Sequence, residues 1–98
     1  MRAARIDANH GAVVAALRAI GASVCSLARL GDGCPDLLVG FAGVNVLLEV
    51  KDGAKPPSAR ALTVREQQFI ASWRGSVYVV RSPAEAVDIV RLAPLRTT

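Results

Sequence analysis

Two carboxylates and an ammonium bracket the most apolar stretch of the chain, CPDLLVGFAGVNVLLEVKDG, with Asp36 at its start and Glu49 and Lys51 near its end. Charges at strand ends are ordinarily solvated tips. The spacing here allows a second reading. Ala42-Gly43 is a two-residue turn signal between DLLVGF and VNVLLEVK, and a hairpin of that kind fixes its own register. Phe41 then faces Val44, Gly40 faces Asn45, Leu38 faces Leu47, and Asp36 faces Glu49. Side chains alternate along a strand, so Lys51 shares the face of Glu49. Opposed carboxylates with Cβ atoms about 5 Å apart repel and weaken the sheet. A hard divalent cation reverses the sign, because Mg2+ takes one or two carboxylates together with water and phosphate oxygens. A slip of one residue would send the two acids to opposite faces.

The elements that must position these groups are readable from periodicity and punctuation. DANHGAVVAALRAIG predicts a first helix, capped by Asp7 or Asn9, with Val13, Val14, Leu17 and Ile20 as its apolar stripe and Gly21 as its stop. ASVCSLA predicts a short strand and RLGDGCP a glycine-rich loop before the hairpin. DGAKPPSARA is expected to be an irregular basic loop. LTVREQQFIASWRG predicts a second helix with Thr63 as N-cap, Glu66 closing a capping box, Leu62 as a staple, and Phe69, Ile70 and Trp73 as its apolar face. SVYVV predicts a fourth strand, and SPAEAVDIVRL a last helix capped by Ser82 with Pro83 at its first position. The order αβββαβα implies an α/β fold, a mixed four-stranded sheet flanked by helices, in a single domain over residues 1–98. The helical crossover into the last strand implies one parallel pairing.

Composition narrows the classes. With 52% hydrophobic and 20% charged residues over 98 positions, the chain has a globular balance and room for one core. No run is long enough for a membrane span, and MRAARIDANHG lacks the apolar centre of a secretory signal, so a soluble intracellular protein is expected. Cys25 and Cys34 form no zinc-ligand pattern and are expected to be reduced thiols. The net charge is +4, and all but two of the twelve basic residues are arginines, suited to forked contact with phosphate. A basic domain of this size favours a polyanionic partner. With four aromatic residues, a base-stacking platform is poorly supported, and nothing reads as a recognition helix.

Pro35-Asp36 followed by Glu49-Val50-Lys51 resembles the signature of the PD-(D/E)xK nuclease superfamily, and the element order is similar to that superfamily's restriction-endonuclease-like core. More narrowly, GCPDLLVG, LLEVKDG, LTVREQQF, Trp73 and VVRSPAEA resemble small phage and prophage nucleases of the VRR type, themselves similar to Holliday-junction resolvases. The likeness runs from about residue 7 to about residue 90. It implies that Asp36, Glu49 and the carbonyl of Val50 hold Mg2+ or Mn2+. It implies that Lys51 orients the attacking water or stabilises charge in the transition state, and that Gln67 supports the site from the second helix. It also implies a cytoplasmic, phage-type protein acting on branched or junction DNA.

Many relatives carry an acid in the first helix that completes the metal site, whereas this chain has His10, Gly11 and Ala12 in that stretch. Asp7 or Asn9 could substitute. His10 could bind a softer metal, touch phosphate, or be a solvated residue at a helix start. Arg29, Lys55, Arg60 and Arg65 are candidate phosphate contacts, each also readable as a surface charge. Cutting a junction symmetrically requires two sites, so a homodimer is expected, with Phe41, Val44 and Val46, or the face around Trp73 and Tyr78, as its interface. The main expectation is a metal-dependent, structure-selective DNA endonuclease. The alternative is a catalytically weak nucleic-acid-binding module of the same fold, or an interaction domain in which the three charges are coincidental.

Overall fold

The hairpin forms around its two-residue turn. Ala42 and Gly43 take φ of 51° and 80°, the double left-handed conformation whose twist matches that of the flanking strands. In this computed structural model, which describes residues 9–96, strands β1 (Ser23–Ser26), β2 (Leu37–Phe41), β3 (Val44–Val50) and β4 (Val77–Val80) make one sheet in the order β1-β2-β3-β4. The first two pairings are antiparallel and β3–β4 is parallel, as a helical crossover requires. Leu37 pairs with Leu48 and Leu38 with Leu47, the register expected from the turn.

Helices α1 (His10–Ala19) and α3 (Pro83–Leu92) cover one face. Val13 and Leu17 from α1, Ala86 and Val90 from α3, and Leu37, Val39, Val46, Leu48, Val50 and Val80 from the sheet form the buried core, with Val14 and Ile20 packed at its edge. α1 ends in a Schellman motif. Gly21, at φ 91°, donates to the carbonyl of Arg18 while Ala22 donates to Leu17. α3 starts as expected, with the Ser82 hydroxyl accepting from the N–H of Glu85 and Pro83 at the first position.

Three expectations are corrected. Asn9 precedes α1 but makes no side-chain cap; its amide is committed elsewhere. Asp7 lies outside the described residues. The basic loop is not wholly irregular, since Pro57–Ala59 forms a 3-10 turn. Helix α2 (Val64–Ser72) has the expected capping box, with Thr63 and Glu66 bonded reciprocally, yet none of its residues is buried. Phe69 and Trp73 stack on each other with ring centroids 4.9 Å apart, and Trp73 remains 47% exposed. The sheet face opposite the core explains this. Alternation puts Asp36, Glu49 and Lys51 there beside Leu38 and Leu47, and the Lys51–Glu66 salt bridge ties α2 to the end of β3.

Candidate active site

Beyond the last backbone pair of the hairpin, Leu37 with Leu48, the next residues outward are Asp36 and Glu49. The side chain of Asp36 continues the ladder: its Oδ2 accepts the Val50 N–H at 2.8 Å, while its own carbonyl accepts from Leu27 at 2.7 Å. Asp36 is therefore fixed to both β3 and the end of β1. Its carboxyl lies beside that of Glu49, and each bears on the other's ionisation. Glu49 is 3% exposed, an unusual position for an acid.

Lys51 follows on the same face. Its ammonium lies 3.5 Å from Glu49 Oε2 and 3.0 Å from Glu66 Oε1. Its backbone is held as firmly: the N–H donates to Val80 at 2.8 Å, and the carbonyl accepts from Asn9 Nδ2 at 2.9 Å. Asn9 Nδ2 also donates to Arg81, at 3.1 Å. This one amide fastens the start of α1 to the carboxyl ends of β3 and β4, which accounts for its absence from the helix cap.

The electrostatics follow from burial. Desolvation, then the charges of Asp36 and Glu66, push Glu49 up to about 9, with Lys51 opposing. Asp36 is raised as well, chiefly by burial, against the pull of the Val50 N–H, Glu49, His10 and Lys51. Burial also disfavours the charge of Glu66, but the Thr63 N–H and Lys51 outweigh it and bring Glu66 below its usual range. The Cys34 thiol is pushed up by burial and by both neighbouring acids. Burial and mutual repulsion thus disfavour two charges on the Asp36–Glu49 pair. A divalent cation is a means of neutralising it, and the oxygen donors suit Mg2+ or Mn2+. Among the described residues, no three His, Cys, Asp or Glu side chains are gathered as a ready ligand cluster. The fit rests on the carboxyl pair. Val50, the further ligand implied by the resemblance, is fully buried, with its N–H committed to Asp36.

The remaining candidates divide. Gln67 is exposed and turns back to the segment before its helix, where Nε2 donates to the carbonyl of Leu62 at 3.1 Å, so it does not join the group around Lys51. Glu66, which the sequence marks as a cap, does join it. The signal was present in the helix period: Glu66, Phe69, Ile70 and Trp73 share one face at positions i, i+3, i+4 and i+7, and Gln67 lies off it. Arg65 lines a hollow of about 490 Å³ with Gly33, Cys34, Asp36 and Glu66, and its guanidinium pairs with Asp32 at 2.8 Å. Arg60 lines a different hollow, with Arg81 and Val79. Arg29 and Lys55 are exposed on the loops after β1 and β3. His10 is not solvated: it is 9% exposed and within electrostatic reach of Asp36.

No family model matches the chain, and neither a curated protein nor a solved structure is similar to it at a significant level.

Proposed function

We propose that this protein is a Mg2+- or Mn2+-dependent endodeoxyribonuclease with a restriction-endonuclease-like core, acting on branched DNA as a homodimer. The observation that carries this reading is the opposed pair of half-buried Asp36 and buried Glu49, with the Lys51 ammonium 3.5 Å from Glu49. A sheet gains nothing from two acids in contact; a cation-dependent hydrolase requires them. When bound, the cation neutralises the pair, polarises the scissile phosphate and eases ionisation of water.

The chain's own residues supply the rest. Asp36 and Glu49 hold the cation. Lys51 is held on two sides by Glu49 and Glu66. It acts as a fixed positive charge toward the phosphate oxygens, on which negative charge grows as water attacks phosphorus and one ester P–O bond breaks. Glu66 keeps that ammonium in place. Arg65, beside Asp36, and Arg29, Lys55 and Arg60 on the loops supply phosphate contacts that bind without reading sequence. For the dimer, Trp73 is 47% exposed, whereas Val46 is buried and Phe41, Val44 and Tyr78 are partly buried against the core, which favours the surface around Trp73.

The test is cleavage of synthetic four-way junctions, flaps and plain duplex with Mg2+ or Mn2+. Cleavage that Lys51→Ala abolishes while binding persists supports the proposal. Binding without cleavage by the natural chain favours the nucleic-acid-binding module, and neither activity sinks both.

A further inference from the structure

Three strand ends meet at one end of the sheet, and the charges there run in order across it. β2 starts at this end and β3 and β4 finish there, so Asp36, then Glu49 and Lys51, then Arg81 follow one another. The parallel register sets Val79 beside Glu49 and Val80 beside Val50. Arg81 therefore comes beside Lys51 and, by alternation, on the face of Glu49. Its backbone is pinned. The N–H donates to Glu85 Oε1 at 2.6 Å, and the carbonyl accepts from Gly53 at 3.0 Å and from Asn9 Nδ2 at 3.1 Å. A Cβ on Gly53 would meet that of Arg81 at 3.0 Å, so the chain leaving Lys51 lies against this residue. Arg81 and Arg60 line one hollow of about 470 Å³, walled by Pro57, Leu62 and Val79. Among the described residues, the only carboxylate within salt-bridge distance of either arginine is Glu85, 4.0 Å from Arg81.

We propose that this hollow is a second phosphate subsite, where Arg60 and Arg81 hold a backbone phosphodiester next to the one presented to Lys51. The inference rests on the nuclease reading given above and adds to it Arg81, which that reading does not use. Like charges at one hollow repel, and a phosphate offers oxygens to both guanidinium forks. The apolar wall suits the sugar carbons of a strand, which free phosphate lacks. On the other side of the carboxyl pair lies the hollow of Arg65, Asp36 and Glu66. The sheet order sets Lys51 between the two. A strand crossing this end of the sheet meets a guanidinium on either side of the cation. Arg60 and Arg81 bind and align that strand without reading its sequence.

The experiment uses the full chain and synthetic four-way junctions, each with one neutral methylphosphonate linkage walked through the strand around the branch. Binding is measured with Ca2+, a hard cation suited to the carboxyl pair. One linkage should weaken binding by the natural chain about tenfold. The double variant Arg60→Gln, Arg81→Gln should bind the unmodified junction at least about tenfold more weakly and be indifferent to that linkage. Its salt dependence should be shallower by about one unit of slope for each arginine. In cleavage with Mn2+, its KM should rise while kcat stays within about twofold. A double variant that keeps the natural chain's affinity, or its sensitivity to every neutral linkage, overturns the subsite and leaves the nuclease reading standing. The scan of the natural chain needs no variant, and finding no sensitive linkage overturns the subsite as well. Binding without cleavage, with the linkage effect present, keeps the subsite and sinks the nuclease reading. No DNA binding by the natural chain overturns both.

Discussion

Glu66 Oε1 accepts two hydrogen bonds at once, from the Lys51 ammonium at 3.0 Å and from the backbone N–H of Thr63 at 2.8 Å. One carboxylate oxygen therefore closes the capping box of α2 and holds the charge that the proposed chemistry uses. A helix that buries none of its side chains is docked on the sheet at this point by a salt bridge whose partners are 12% and 17% exposed. Orientation of Lys51 and attachment of α2 are the same contact.

Glu66→Gln separates these two roles. The amide oxygen can still accept from Thr63, so the cap survives, but the ion pair with Lys51 is lost. The expected outcome is a stability loss within about 1 kcal/mol by urea denaturation, together with a several-fold drop in kcat. Glu66→Ala loses cap and ion pair together and should cost about 1–2 kcal/mol. Equal stability losses in the two variants would show that the cap is not formed by this side chain.

The raised Glu49 predicts an inverted pH dependence. Its folded value of about 9 lies above the ordinary 4.5, so between those limits the folded chain binds more protons than the unfolded one. Stability from this group is full below 4.5 and is lost as pH rises through about 9. Asp36, also raised, adds in the same direction, whereas Glu66, lowered, gains stability above its ordinary range and loses it on acidification. In chelator, the melting temperature should fall from about pH 6 to about pH 9, and Glu49→Gln should flatten that fall. Added Mn2+ should raise the melting temperature most at the alkaline end, because a cation binds the ionised pair of the folded state.

The hairpin and the caps were legible because each is settled by neighbours in sequence. Ala42-Gly43 fixes the turn, the turn fixes the register, and the register brings Asp36 to Glu49. Thr63 with Glu66, and Ser82 with Pro83, are likewise local grammar that the structure reproduces. What escaped was the set of contacts between distant segments. Asn9 looked like a helix cap because asparagine commonly is one, yet a bond to Lys51, 42 residues away, claims its amide. His10 looked like a solvated helix start, and its burial depends on how α1 lies against the sheet. Gln67 was preferred over Glu66 on resemblance, although the face shared with Phe69 and Trp73 pointed to Glu66.

Gly33 should prove intolerant for a reason of shape. It sits at φ 79°, and a Cβ there would collide with the carbonyl of Arg65 and the N–H of Glu66 at the start of α2. Both the left-handed backbone and the close approach oppose substitution, so Gly33→Ala should destabilise the fold by about 1–3 kcal/mol. Gly31, at φ 66° with open space around it, supplies the control. Gly31→Ala meets the backbone penalty alone and should cost about 1 kcal/mol. Comparable losses at the two positions, measured by denaturant unfolding, would show that the loop does not pack against α2.

Asp36 lets the structural and chemical roles of one carboxyl be told apart. Its Oδ2 satisfies the buried Val50 N–H, a task that an asparagine oxygen also performs, so Asp36→Asn should keep the strand end intact and relieve the repulsion with Glu49. Thermal stability without metal should be unchanged or higher. Mn2+ affinity should fall steeply, and cleavage by at least about 10²–10³-fold, because a neutral amide replaces an anionic ligand. Asp36→Ala leaves the Val50 N–H unpaired and should lose about 1–3 kcal/mol of stability as well. If Asp36→Asn unfolds the protein while retaining Mn2+ affinity in whatever remains folded, the carboxyl is a strand clamp and not a cation ligand. If it stays folded and still cleaves at the natural rate, the carboxyl pair has no part in the chemistry.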